Sequence, residues 1–446
     1  MVYTMSVVSP PTPSATVRSR SRQGLWSYRG FTLFWSGETV SMFGTQVTTL
    51  ALPLTAVLTL HATAAQLGWI RFLGVMPFIV CTLVFGAWVD RRRRKPVLVL
   101  ANAARAALVG LVPLFALMHL LNLVNLGIIA FAAGVFSVLF EVTWLAYVPT
   151  LVAPGDLVAA NGRMSTSSAA SEVAGPGLAG LLVQWFSAPL AMLADALSYV
   201  VAVATLLLIR TPEPAPKVAE SPHLLREIGV GLRIVWDDTR LRAIAIMSGL
   251  WNCLDMIAET TFLLYAIRER GLAPGTLGAV FAIGAVGGLI GAAASTAMVQ
   301  RGRFGPILGI AFCFGCLPWV VMPLVIGSQW LEAGAYAIAF FLVHIGLGLW
   351  AVLTTTLRQT ITPLHLLGRT GASVRLISYG LGALGVLLAG FFGSVIGLRA
   401  TLWLAAVGFL VILVVLLLAT PLPRVRSLSG AMSPEELDAA AQHVGE

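Results

Sequence analysis

With 446 residues, 58% of them apolar and only 11% charged, and a mean hydropathy of +0.90, this chain is far more apolar than a soluble protein, in which charged residues approach about 25%. That excludes a soluble enzyme or binding module and requires a bilayer as solvent. A net charge of +9 would suggest nucleic acid in a soluble chain, but in a membrane protein excess Lys and Arg sits in cytoplasmic loops as a topology signal, so no nucleic-acid partner is expected.

Residues 1–28 combine scattered arginines with Ser, Thr and Pro and have no apolar core of signal-peptide length, which reads as a disordered cytoplasmic tail. Beyond them, apolar runs near the 20 residues needed to cross the hydrocarbon layer recur twelve times. Their limits fall near 31–59, 65–89, 97–120, 124–150, 159–185, 188–209, 242–266, 274–299, 305–327, 331–356, 370–396 and 399–420. The expected fold is an all-α membrane protein with twelve transmembrane helices in two pseudo-symmetric six-helix bundles, residues 29–210 and 242–420. A cytoplasmic amino terminus places the cations of the tails and of the connections after every second span inside. Only Arg268, Arg270 and Arg399 then lie in outer loops, so both termini are expected in the cytoplasm and residues 421–446 form a second cytoplasmic tail.

Polar residues interrupt particular spans at helical spacing. Span 1 carries Glu38, Ser41, Thr45 and Thr48; span 4 carries Ser137, Glu141 and Trp144; span 7 carries Ser248, Asn252, Asp255 and Glu259; span 10 carries His344 and Thr355. Intervals of three or four place each set on one helical face, and ionisable groups inside a bilayer face a cavity or a partner. Glu172 and Asp195 are expected to pair with cations such as Arg71, Arg105, Arg163 or Arg375, with proton movement as the alternative. Arg71, toward the outer end of span 2, is also placed to snorkel. His344 reads equally as a proton relay or as a hydrogen-bonded packing residue.

Between spans 2 and 3 stands "GAWVDRRRRK", residues 86–95, five cations after an aspartate. Between spans 6 and 7, residues 211–241 begin as a Pro-rich linker and continue as "LLREIGVGLRIVWDD", whose apolar period predicts an amphipathic surface helix. An offset of 210 residues aligns 161–180 with 371–390, matching Gly175 with Gly385 and the closing Ala-Gly, a weak internal repeat that fits two related halves. The four cysteines, Cys81, Cys253, Cys313 and Cys316, lie in apolar runs, and the CxxC of the last two reads as packing. "GLGALG" (380–385) matches a nucleotide fingerprint in letters alone; within a span its small residues serve close helix packing, as do those of "GAVGGLIG" (284–291). The sequence has no P-loop, metal-ligand cluster or catalytic triad, so neither an enzyme nor an ATP-driven pump is expected, and no metal or cofactor.

From residue 29 to 420 the sequence resembles the major facilitator superfamily. The loop between spans 2 and 3 matches the family pattern through Gly86, Asp90, Arg91, Arg94 and Lys95, with Arg93 where many members have glycine. "FEVTWLAYVPTLV" (140–152), "AANGR" (159–163), "AGPGLAGLLVQ" (174–184) and "DALSYV" (195–200) together resemble the enterobactin-exporter and macrolide-efflux branch. Gly175, Pro176 and Gly180 are similar to a signature of drug:proton antiporters, with Ala179 replacing one glycine; a bend with close packing is an equal reading of these residues. The resemblance implies a gating role for Asp90 and its basic neighbours. It also implies a central cavity lined by spans 1, 4, 7 and 10, the spans that carry the polar stripes.

The resulting expectation is a monomeric, secondary-active exporter in the cell membrane, moving amphipathic or hydrophobic small molecules, drug-like or siderophore-like, by proton-coupled alternating access. Glu38, Thr45, Glu141, Trp144, Asn252, Asp255, Glu259 and His344 are its candidate substrate and proton residues. The alternatives are uptake or lysophospholipid flipping, and a non-transporting receptor or assembly protein of the same fold.

Overall fold

The computed structural model describes residues 25–89, 91–213, 224–299, 304–363 and 366–425, and every regular element among these is helical. The first half comprises α1 (Arg29–Leu54, continued by a π-helical turn at Thr55–Thr59), α2 (Ala64–Val89), α3 (Arg94–Leu117), α4 (Leu123–Leu151), α5 (Leu157–Phe186) and α6 (Ala188–Leu208). The short α7 (Leu224–Asp237) lies where the sequence predicts the amphipathic linker helix. The second half comprises α8 (Thr239–Arg268), α9 (Pro274–Val299), α10 (Phe304–Cys316), a 3-10 turn leading into α11 (Val321–Leu324), α12 (Gln329–Ile361), α13 (Leu367–Val395) and α14 (Leu398–Ala419).

Among the described residues eleven spans are long and apolar enough to cross a membrane, α10 with α11 forming one of them. The twelfth expected span is α5, which at 30 residues has the length but not the apolarity. Its Arg163, Glu172 and Ser/Thr run are tolerated because it lies between other helices, packed on α1, α6 and α9. Most of both expected tails, residues 1–24 and 426–446, lies outside the described residues.

Several helices start where their caps dictate. The Asn122 side chain accepts from the Asn125 amide before α4, and Asp238 accepts from the Arg240 and Leu241 amides before α8. α3 begins instead with two cations, Arg94 and Lys95, beside its positive dipole end, which is unfavourable unless a carboxylate is supplied. Glu213, beyond the end of α6, supplies it. Its two carboxylate oxygens accept from the Arg94 and Lys95 backbone amides, and the Arg94 guanidinium pairs with it at 3.7 Å. Lys95 Nζ then donates to the Ile209 carbonyl at 2.6 Å, so the basic run ties the start of α3 to the end of α6. Asp90, the expected partner of this run, lies outside the described residues.

The halves are related in their packing: α5 lies on α1 and α9, and α13 correspondingly on α8 and α2. The two most extensive contacts between the halves, α2 with α13 and α5 with α9, are closest at one end of the molecule. A Cβ on Gly68, near the start of α2, would stand 2.9 Å from the Gly390 Cα near the end of α13. A Cβ on Gly180 would stand 2.6 Å from the Pro274 carbonyl oxygen and 3.0 Å from the Gly278 Cα. These approaches let the backbones touch, which is how helices associate without a hydrophobic driving force. Arg268 adds a hydrogen bond to the Ala62 carbonyl (2.6 Å), and the Gly275 amide adds one to Gln184 (3.2 Å). This end, remote from the first and last described residues, is hereafter the far end, and it is closed.

Gly175 and Gly180 therefore serve packing in this structure, Gly175 against Gln46 of α1 and Gly180 at the crossing of the halves. The glycines of 284–291 do the same: a Cβ on Gly287 or Gly291 would fall within 2.3 Å of a carbonyl oxygen of α12. Gly180→Ala is expected to lower the thermal unfolding temperature by several degrees, because the opposing atoms are backbone and overpacking costs about 1–3 kcal/mol. Gly162→Ala, on the same helix in open space, is expected to raise it slightly. Unfolding of both purified variants in one detergent checks the pair, and equal behaviour would show that the crossing is loose.

Candidate functional site

Two cavities share part of their lining, and one of them lies between the halves. One, about 520 Å³, is lined largely by the second half, with Trp251, Asp255 and Glu259 from α8, Phe281 from α9, and Phe340 and His344 from α12. The other, about 480 Å³, belongs to the first half and is lined by Glu38, Thr45, Glu141, Trp144, Arg105 and Tyr199 among others. Gln46, Thr49, Pro53 and Arg71 line both. Each volume falls in the range of about 300–1,000 Å³ that takes a drug-sized molecule. Their mixed lining of aromatic rings and a few charges is suited to an amphipathic ligand.

Pro53 has a local consequence. It lacks the amide that would donate to the Thr49 carbonyl one turn back, and the helix passes into its π turn just beyond. The helix is thus irregular where α1 borders both cavities.

The second-half cavity is built around one cation and two acids. Arg71 of α2 reaches across to α8, where its guanidinium donates to Glu259 Oε1 at 3.1 Å and to Thr260 Oγ1 at 2.7 Å. Asp255 lies one turn from Glu259 on the same helical face, and Arg71 and Glu259 are the charges that act on it. Arg71 therefore does not snorkel as its position in the sequence allows; it joins the halves through an ion pair. His344 Nδ1 donates to the Phe340 carbonyl at 2.8 Å, since a carbonyl only accepts. Its ring stays beside the Phe340 ring on the cavity wall.

The first-half cavity surrounds a buried arginine. Arg105 of α3 is sandwiched at 4.3 Å from both the Phe140 and Tyr199 rings and donates to Asn102 Oδ1. Its charge acts on Glu38 and on fully buried Asp195, which also accepts from Ser198 at 3.2 Å. Two aromatic faces and two nearby acids hold the cation in a dry setting, where cation–π contacts reach about 2 kcal/mol. Thr45 bonds the Tyr199 hydroxyl at 3.0 Å, which fixes the ring beneath the guanidinium.

Other expected site residues fall elsewhere. Asn252 turns toward Gly382 of α13 and is absent from the linings of both central cavities. Ser248 accepts from the Trp350 indole (3.1 Å), so that tryptophan is spent on helix packing. Glu172 does line the second-half cavity but accepts a hydrogen bond from Ser168 (3.0 Å) in place of an ion pair. Arg163 stacks on Trp26 at 4.3 Å, and Pro176 borders the cavity. Gly86, with open space around it, and exposed Arg91 lie at the end of α2 away from the cavities. All four cysteines are free. Sequence reasoning missed Glu213 and the Arg71–Glu259 pair, whose partners lie 118 and 188 residues apart, and no local signal marks either.

Comparison with known proteins agrees with this architecture. The family model of the major facilitator superfamily matches residues 34–385, and the chain belongs to that superfamily of multi-pass membrane transporters. It is 27% identical over 406 residues to the multidrug efflux pump Tap of Mycolicibacterium fortuitum, covering 88% of this chain and 95% of that protein. It is 22% identical over 243 residues to macrolide efflux protein A of Streptococcus pyogenes, covering 54% of this chain and 60% of the relative. Among solved structures, a bacterial homologue of the iron transporter ferroportin in its inward-facing state matches with a TM-score of 0.67 at 19% identity, covering 88% of this chain and all of that one. The same kind of homologue in an outward-facing state matches with a TM-score of 0.55 at 18% identity, covering 87% and 98%.

Arg71 and Glu259 are both only partly exposed, so removing one leaves the other charge poorly solvated. Arg71→Gln and Glu259→Gln are each expected to destabilise the protein, and the double variant by less than their sum. A coupling of about 1–3 kcal/mol is expected from a double-mutant cycle read by unfolding; a coupling near zero would show that the contact carries no energy.

Proposed function

We propose that this protein is a secondary-active exporter of amphipathic or hydrophobic small molecules, working by alternating access and coupled to protons. The observation that carries the proposal is that one cation from the first half, Arg71, serves two acids of the second half, Asp255 and Glu259, at the cavity wall between the halves. The efflux proteins to which the chain is similar support the direction. The better match to the inward-facing than to the outward-facing ferroportin homologue supports a cavity open toward the chain termini. The excess of cations at that end supports its being cytoplasmic.

The cycle follows from electrostatics. With no ligand bound, Arg71 holds Glu259 and keeps the far end shut, so the empty protein does not cross and the gradient does not leak. A cationic amphiphile entering from the cytoplasm lays its apolar part on Trp251, Phe281 and Phe340 and its charge on Asp255 and Glu259. It thereby competes with Arg71 and frees the far end to open; a ligand shifts the balance of states only by such differential contacts. Protons arriving from outside neutralise the acids and displace the ligand. The protonated protein, held by neither Arg71 nor ligand, returns and loses its protons inside, and the ion pair re-forms.

Purified protein in liposomes with an imposed pH gradient, given a panel of cationic and neutral drugs, is expected to drive substrate toward the acidic side. Asp255→Asn is expected to abolish gradient-driven accumulation while the protein still inserts and folds. Accumulation that ignores the gradient, or that survives in the Asp255 variant, would overturn proton coupling through this pair.

A further inference from the structure

A third cleft, about 230 Å³, opens at the side of the molecule and is lined only by α2, α4 and α13. Its walls are apolar, including Phe78, Ile79, Val142, Leu145 and Leu376, and its rim residues Leu145 and Tyr379 are 56% and 45% exposed. α2 and α13 touch at the far end through Gly68 and Gly390, so this cleft is the gap between the same two helices farther toward the termini.

Two opposite charges face into it from opposite halves, Glu141 on α4 and Arg375 on α13. Both are exposed, and Arg375 is the charge that acts on Glu141. Yet among the described residues neither makes an ion pair within 4 Å or a hydrogen bond. Glu141 lies ten residues from the end of α4 and Arg375 eight from the start of α13, about 15 and 12 Å along the helix axes. Charges at that depth in a bilayer need a partner or a polar ligand. The two charges present a negative and a positive pole to one cleft, beside its apolar walls.

We propose that this cleft binds a zwitterionic amphiphile entering from the bilayer, its cationic group on Glu141, its anionic group on Arg375 and its chain along the apolar walls. Phe78 and Glu141 also line the first-half cavity, so the cleft is an antechamber through which membrane-dissolved molecules reach the centre. The route deepens the exporter reading and rests on it for its use in transport, whereas occupancy of the cleft does not depend on transport.

The test uses full-length protein in lipid nanodiscs with its native cysteines replaced by serine. A fluorescent label is placed at Val80→Cys, an exposed position adjoining Ile79, and a control label at Leu418→Cys on the outer surface of α14. Two probes with the same nitroxide-bearing chain are compared, one with a phosphocholine head and one a neutral methyl ester. Expected is quenching at position 80 about twofold greater for the phosphocholine probe, the enrichment that an exposed charge contact of ordinary strength produces. At position 418 the two probes should quench alike. Glu141→Gln with Arg375→Gln should abolish the excess, and Glu141→Gln alone serves if the double variant fails to fold. Equal quenching by the two probes at position 80, or an excess that survives neutralisation, would overturn the proposal. Adding unlabelled dodecylphosphocholine should erase the excess if a free single-chain amphiphile is accepted; an excess that only two-chain phospholipid competes away assigns the site to bilayer lipid. Asp255→Asn separates the two ideas: export lost in the liposome assay with the quenching excess intact in nanodiscs supports a cleft that binds independently of transport, and an excess lost together with export would overturn that independence.

Discussion

Everything in this architecture turns on a guanidinium that leaves its own half of the molecule. Arg71 sits on α2, a helix otherwise apolar along its inner length, and ends on Glu259 and Thr260 of α8. An isolated arginine in hydrocarbon is costly, and so is an isolated carboxylate; together they become a contact that exists only while the halves are close. Separation of the halves at this point would leave each charge without the other.

The backbone makes that contact geometrically possible. Gly68 with Gly390 and Gly180 with Gly278 bring helices of opposite halves to touching distance at the far end, and larger side chains there would hold them apart. The glycines supply packing that is indifferent to charge, while Arg71 supplies a contact that depends on charge. A ratio change from 1:99 to 99:1 between two states needs about 5.5 kcal/mol of differential binding, so such a seal must be modest to be reversible. Buried Arg105 in the first half has a different character. It is held between the Phe140 and Tyr199 rings, with Glu38 and Asp195 nearby.

Much of the fold was legible in the sequence, because crossing a bilayer imposes a length and an apolarity that hydropathy reads directly. α5 is the instructive exception: it was counted among the apolar runs, yet it falls short of the other spans in apolarity, and its polarity is permitted by the helices around it. The polar stripes of α1, α4, α8 and α12 were legible as faces, and Glu38, Thr45, Glu141, Trp144, Asp255, Glu259 and His344 do line cavities. Asn252 shows the limit of that reasoning. It lies on the α8 stripe by spacing, three residues before Asp255, yet the rotation of α8 turns it to Gly382. Periodicity gives a face to within about 100° per residue, and only packing chooses which edge of that face meets the cavity. Glu213 and Arg71 were illegible for another reason: their partners are brought together by topology, which no local pattern encodes.

The central claim is that Arg71 and Glu259 hold the far end shut. It is tested most directly by pulsed electron paramagnetic resonance between spin labels at His119→Cys and Trp330→Cys, positions beside the far ends of the two halves, in a cysteine-free protein in nanodiscs. A single short distance is predicted for the otherwise native protein at neutral pH, and a second, longer population when Arg71 is replaced by Gln. An unchanged single distance in the Arg71 variant would contradict the account.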